Sequence, residues 1–257
     1  MVLSEVRDAD DGKRGKKRME IRVFDDYEAL SDAGAELLCT LLKEKPDAVL
    51  GLATGSTPEG VYARLVARYR AGEISFASVR TVNLDEYYPI AKNDPESYHT
   101  FMRQHLFDLV DIKPENTHLP DGETDDPARE AASYEALVAS LGYPDLQLLG
   151  IGRNGHVGFN EPANELTDET HLTPLTKSTL DANGRFFAGR QMPDHALTMG
   201  IGTILHARRI VLLANGEEKR EALRTLRAGK MTARCPASLL LPHPDFTVLC
   251  DRAAYGE

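Results

Sequence analysis

The run from Gly150 to Pro162, GIGRNGHVGFNEP, puts an imidazole, a carboxamide and a carboxylate on one short loop directly after an apolar strand. Those groups suit proton transfer. His156 carries a side chain that exchanges protons near neutral pH, and Asn154 and Glu161 are of the types that orient and charge-balance such a ring. Four glycines, Gly150, Gly152, Gly155 and Gly158, let the chain fold back so that the three can meet. The same glycines satisfy the dinucleotide pattern G-x-G-x-x-G, but Gly158 and Pro162 interrupt the helix that pattern needs. No strand ending in an acid follows around Thr170 to Lys177 either, so no nucleotide cofactor is expected.

Four other stretches could carry chemistry. After the apolar run Ala48 to Ala53 come Gly55, Ser56, Thr57 and Pro58, where Pro58 suits the first position of a helix and Ser56 or Thr57 can cap it. This is either an ordinary capped turn or an anion site suited to phosphate, built from free N–H groups and the helix dipole. Asp85 and Glu86 are adjacent carboxylates at the end of the run Val79 to Leu84, and one of them can face a site there as a carbon base. Lys219 falls in the first turn of a helix after Ile210 to Ala214, where the dipole disfavours a cation unless an anion binds beside it. Arg185, between Asn183 and Phe187, would be a second cation, delivered by a mobile segment; taken singly, either reads as a surface charge.

The remaining histidines, His99, His105, His118, His171, His195, His206 and His243, have no His or Cys partner at ligand spacing, so no metal is expected. Cys39, Cys235 and Cys250 are odd in number and scattered, as buried thiols are. The net charge of -10 repels nucleic acid and anionic membrane, although residues 1–18 include the basic run Lys13 to Arg18 and read as a flexible extension. No apolar run nears the roughly 20 residues of a membrane span, and the N-terminus has no apolar secretion segment. A cytoplasmic protein is expected, acting on a small molecule, with a homo-oligomer left open.

Elements that could position these residues alternate along the chain. Ile21 to Phe24, Ala48 to Ala53, Val79 to Leu84, Leu146 to Leu149, Ile210 to Ala214 and Phe246 to Cys250 are short, branched and without alternation, as in strands buried on both faces. Between them Tyr27 to Leu42, Pro58 to Arg70, Ser97 to Leu109, Pro127 to Leu141 and Glu217 to Ala228 show helical spacing. The expectation is an α/β fold, a mostly parallel Rossmann-like sheet flanked by helices on both faces, forming one domain over residues 19–257. The weakly periodic stretch 166–190 reads as a mobile lid.

As an ordered set, LATGSTP (Leu52 to Pro58), NLDEY (Asn83 to Tyr87), ESYHTFM (Glu96 to Met102) and GRNGHVGFNEP (Gly152 to Pro162) resemble the glucosamine-6-phosphate deaminase family, from about Met19 to Tyr255. The resemblance implies conversion of glucosamine 6-phosphate and water into fructose 6-phosphate and ammonia, without metal or organic cofactor. It makes Asp85 the base that enolises the sugar and His156, supported by Asn154 and Glu161, the ring-opening group. Gly55, Ser56, Thr57, Lys219 and Arg185 would then hold the phosphate, with Arg185 on the lid.

This chain departs from the family pattern in places. Some members have Asp where Asn154 stands. Allosteric members use basic residues and a longer tail where this chain has His171 and Thr173 and stops at Glu257, so activation by an N-acetylated sugar phosphate is not expected. The related 6-phosphogluconolactonases carry Asp-Glu-Arg where this chain has Asp85-Glu86-Tyr87; that Tyr and the run Phe159 to Pro162 favour the deaminase. Galactosamine 6-phosphate, differing at C4, stays open as a substrate. A non-catalytic sugar-phosphate sensor is disfavoured, since residues 1–18 are too short for a helix-turn-helix.

Overall fold

Strands with no polar face need cover on both sides, and the chain supplies it by alternating strand and helix. The structure, a computed structural model, describes residues 19–187 and 189–257; the basic extension expected over 1–18 lies outside them. β1 (Glu20–Phe24) leads through α1 (Tyr27–Glu44) to β2 (Val49–Leu52), and α2 (Ser56–Arg70) to β3 (Arg80–Asn83). One residue later β4 (Asp85–Tyr88) begins, followed by α3 (Tyr98–His105), β5 (Thr117–His118), α4 (Pro127–Ser140) and β6 (Leu146–Gly150). Then come β7 (His171–Pro174), α5 (Lys177–Asn183), β8 (His195–Thr198), α6 (Ile201–Leu205) and β9 (Ile210–Ala214). The chain closes with α7 (Arg220–Arg227), β10 (Phe246–Asp251) and α8 (Arg252–Tyr255).

Seven strands pair in parallel in the order β1-β10-β9-β6-β2-β3-β5. Neighbouring residues of one strand feed opposite layers. Leu148, Leu213 and Leu249 join Leu38, Leu65 and Met102 under α1, α2 and α3, while Leu149, Leu212 and Val248 join Val138 and Leu223 under α4 and α7. That two-sided burial is why the strands read as unbroken apolar runs. From β2 the chain steps outward to β3 and β5, then returns to the other side of β2 as β6. The strand order therefore reverses between β2 and β6, and a crevice opens at their carboxyl ends.

The expected strands and helices are all present, with two helices modified. The Ser97 to Leu109 stretch breaks at Leu106 (φ -144, ψ -59) into α3 and a 3-10 turn, Phe107–Leu109. The Glu217 to Ala228 stretch starts as a 3-10 turn, Glu217–Lys219, before α7. The three cysteines are buried and free. Sequence patterning missed a second, antiparallel sheet, β4-β8-β7. It also missed that 166–190 contains β7, α5 and a 3-10 turn, Gly184–Phe187. Strands of four residues and a helix of seven are too short to show a period.

Candidate active site

β2 and α2 build one end of the crevice. Gly55, at φ 95 and ψ 177, turns the chain so sharply that α2 starts at Ser56, two residues before the position expected from Pro58. Neither hydroxyl caps the helix: among the described residues no side chain accepts from its first N–H groups, and Thr57 Oγ1 instead donates to Asn215 Oδ1 at 2.7 Å. The Tyr27 hydroxyl clamps this turn, donating towards the Ser56 and Thr57 carbonyls and accepting from Gly60 N. A 15-residue helix thus presents uncapped N–H groups and its positive dipole end to the crevice, a place for an anion.

Lys219 faces the same place, its side chain 16 % exposed and its Nζ 3.8 Å from Glu218 Oε1. Burial lowers the Lys219 pKa; Glu218 opposes that and the nearby Arg153 adds to it. Arg185, on the Gly184–Phe187 turn, lines the crevice with its guanidinium 4.8 Å from the Phe186 ring centroid.

β3 does not end in Asp85 and Glu86. After Leu84 the chain enters β4, and strand alternation sends the two carboxylates opposite ways. Asp85 lines the crevice, 6 % exposed and paired in register with Thr198 of β8. Glu86 turns away and accepts from the backbone N–H groups of Tyr87, Tyr98 and His99, each at 2.9 Å, fastening the start of α3. Burial, with the neighbouring charge of Glu86, pushes the Asp85 carboxyl up to about 8. Such a group is a strong base once ionised.

The loop after β6 brings His156, Asn154 and Glu161 together, though not with the contacts expected. The imidazole lies directly over Gly152, where any Cβ would collide with the ring. Its Nδ1 is 3.3 Å from Glu161 Oε1, close enough for charge contact but not aligned as a hydrogen bond. The hydrogen bonds of Asn154 go elsewhere than to the ring. Its Nδ2 donates to Glu161 Oε2 at 2.7 Å and its Oδ1 accepts from the His156 backbone N–H, so the amide orients the carboxylate. Burial raises the Glu161 pKa, but contact with His156, Thr179 and Asn154 outweighs it and draws the group down to about 2. The loop also backs onto Asp85: a Cβ on Gly158 would stand 3.3 Å from Asp85 Oδ2.

All nine residues singled out from the sequence line this cleft of about 670 Å³ or, for Glu161, lie directly behind His156. Sequence reasoning missed Arg153, although it sits inside the glycine loop. It also missed Thr179, which donates to Glu161 Oε1, and Asn183, which donates to the Tyr87 hydroxyl at 3.0 Å. Neither Thr179 nor Asn183 had a motif to mark it. Tyr87 packs among Tyr98, Phe159 and Phe187, with ring centroids 4.7, 5.6 and 5.6 Å away.

Residues 25–249 match the family of glucosamine-6-phosphate isomerases and 6-phosphogluconolactonases. The glucosamine-6-phosphate deaminase of Shewanella loihica is 48% identical over 240 residues, covering 93% of this chain and 90% of that protein. Glucosamine-6-phosphate deaminase 1 of Bacillus subtilis is 48% identical over 237 residues, 92% of this chain and 98% of its own. Among solved structures, a monomeric glucosamine-6-phosphate deaminase superposes with a TM-score of 0.90 at 47% identity, covering 93% of this chain and 99% of that one. The 6-phosphogluconolactonase of Trypanosoma cruzi superposes with a TM-score of 0.75 at 21% identity, over 96% of this chain and 99% of that one, a likeness of fold alone.

Proposed function

The chain belongs to the family of glucosamine-6-phosphate isomerases and 6-phosphogluconolactonases, and we infer that within it this protein is a glucosamine-6-phosphate deaminase. It converts glucosamine 6-phosphate and water into fructose 6-phosphate and ammonia. The observation that carries this reading is a buried, strongly basic carboxylate, Asp85, facing the same cleft as the His156 and Glu161 pair. An aldose-to-ketose shift needs a ring-opening proton shuttle and a carbon base in one pocket.

We propose the following division of work. The α2 N-terminus at Gly55, Ser56 and Thr57, with Lys219 and Arg185, holds the phosphate, which fixes the sugar without taking part in bond making. His156 takes the proton from O1 and returns one to O5, opening the ring; ionised Glu161, held by Asn154, steadies the imidazolium formed in between. Asp85 removes the C2 proton while the aldehyde oxygen gains one, giving an enolamine, and then delivers a proton to C1. The resulting imine at C2 accepts water, and ammonia leaves the tetrahedral carbon, so one water is consumed per turnover.

The substrate ammonium also favours ionised Asp85, lowering its pKa in the complex. Residues 166–190 act as a lid that brings Arg185 onto the phosphate. Hydrogen exchange over this stretch is expected to slow when substrate analogue binds, and unchanged exchange would count against it.

A lactonase is the competing reaction. Tyr87, enclosed by aromatic rings and bonded to Asn183, offers no guanidinium to a sugar acid, which favours the deaminase. Glucosamine 6-phosphate, galactosamine 6-phosphate and 6-phosphogluconolactone assayed side by side test the reading. Ammonia release from the first is expected, and turnover of the lactone alone would reverse it.

A further inference from the structure

Glu161 is held from a direction that the catalytic loop does not supply. Its Oε2 is taken by Asn154, whereas Oε1, the oxygen facing His156, accepts from the hydroxyl of Thr179 on α5. Thr179 is 5 % exposed. Its Oγ1 is 3.1 Å from that of Thr176, the α5 N-cap, which itself accepts from Thr179 N. With the Thr179 proton committed to Glu161, the Thr176 hydroxyl donates to Thr179, and the hydrogen bonds run one way from Thr176 through Thr179 to Glu161.

The His156 contact is unaligned, so of the two groups facing Oε1 only Thr179 bonds it. The same helix ends at Asn183, which bonds Tyr87, two residues before Arg185.

We propose that Thr179 is a positioning residue for the reaction: by holding Oε1 it fixes the plane of the Glu161 carboxylate and, through it, the His156 imidazole for ring opening. It also ties the proton shuttle to the segment that carries Arg185. The proposal rests on the deaminase reading and adds a role that is specific to one step.

The test compares Thr179→Val, which keeps the shape and removes the hydroxyl, with Thr179→Ser, which restores it. Loss of a charge-assisted hydrogen bond is expected to lower kcat about tenfold to a hundredfold in the Val variant, with KM within about twofold. The isotope effect on kcat with substrate deuterated at C2 should shrink towards unity, because ring opening rather than C–H cleavage becomes slow. Thr179→Ser should recover both quantities, with thermal unfolding curves showing all three proteins folded.

A wild-type kcat in the Val variant, a lost kcat with an unchanged isotope effect, or no recovery in the Ser variant would each overturn the proposal. Nitrogen NMR of the His156 ring reads the contact without turnover: its Nδ1 resonance should move in Thr179→Val and stay in Thr179→Ser, and an unmoved resonance in the Val variant overturns it. A wild type that releases no ammonia would instead sink the deaminase reading.

Discussion

Two adjacent carboxylates show how much one residue of register decides. Asp85 and Glu86 stood out in the sequence as a pair, but only the alternation of β4 sends one to the cleft and the other to the start of α3. No pattern in two carboxylates followed by two tyrosines foretold that strand. The types at Asn154, His156 and Glu161 were legible, whereas the contact Asn154 makes was not, because it depends on how the loop closes.

Asp85 carries a consequence for stability. Its folded pKa, about 8, lies above the ordinary 3.8, so the native state binds this proton more tightly than the unfolded chain does. The stability it contributes is full below the ordinary value and is lost as pH rises towards 8. Asp85→Asn should therefore unfold at a higher temperature than wild type near pH 8, by about 2–4 °C per kcal/mol gained, with the gap closing near about pH 4. A gap independent of pH would contradict it. The same sign governs activity: kcat/KM for wild type should rise with pH and level off near the free-enzyme value of about 8, as the carboxylate form accumulates. A profile already flat from about pH 5 would contradict a catalytic carboxyl held near 8.

At the scale of elements, the site is made by where loops start. The α2 N-terminus is open to an anion because Gly55 turns the chain two residues before the start expected from Pro58 and, among the described residues, no side chain caps the helix; of the two readings of this turn, the capped one is not found. Lys219 beside it is expected to hold phosphate in ground state and transition state alike. Lys219→Ala should raise KM about tenfold to a hundredfold with a smaller change in kcat, and an unchanged KM would remove it from the phosphate site.

Gly152 was read as giving the loop freedom, but its role is room, since the His156 ring occupies the space of a side chain there. Gly152→Ala should displace the ring and lower kcat by about a hundredfold in a folded protein, and near-normal kcat would contradict the placement of the imidazole. The small sheet escaped sequence reading for a different reason. β4, β7 and β8 have four residues each, like β2 and β3, but no unbroken apolar run marks them in the sequence.

For the whole molecule, the parallel sheet was legible because burial on both faces writes itself as unbroken apolar runs. The reversal of strand order between β2 and β6 then follows from their pairing, and it explains why the loops after these strands, about 100 residues apart in sequence, meet in one crevice. The antiparallel sheet hangs Asp85 over that crevice through its pairing with Thr198, whose hydroxyl accepts from Phe159 N of the loop after β6.

The central claim is that this cleft deaminates an amino-sugar phosphate with Asp85 as the carbon base. The most direct test measures ammonia and fructose 6-phosphate released from glucosamine 6-phosphate by the wild-type protein and by Asp85→Asn. The account predicts equimolar products from the wild type and a loss of at least about a hundredfold in kcat in the variant. Wild-type turnover in Asp85→Asn, or binding without product in the wild type, would contradict it.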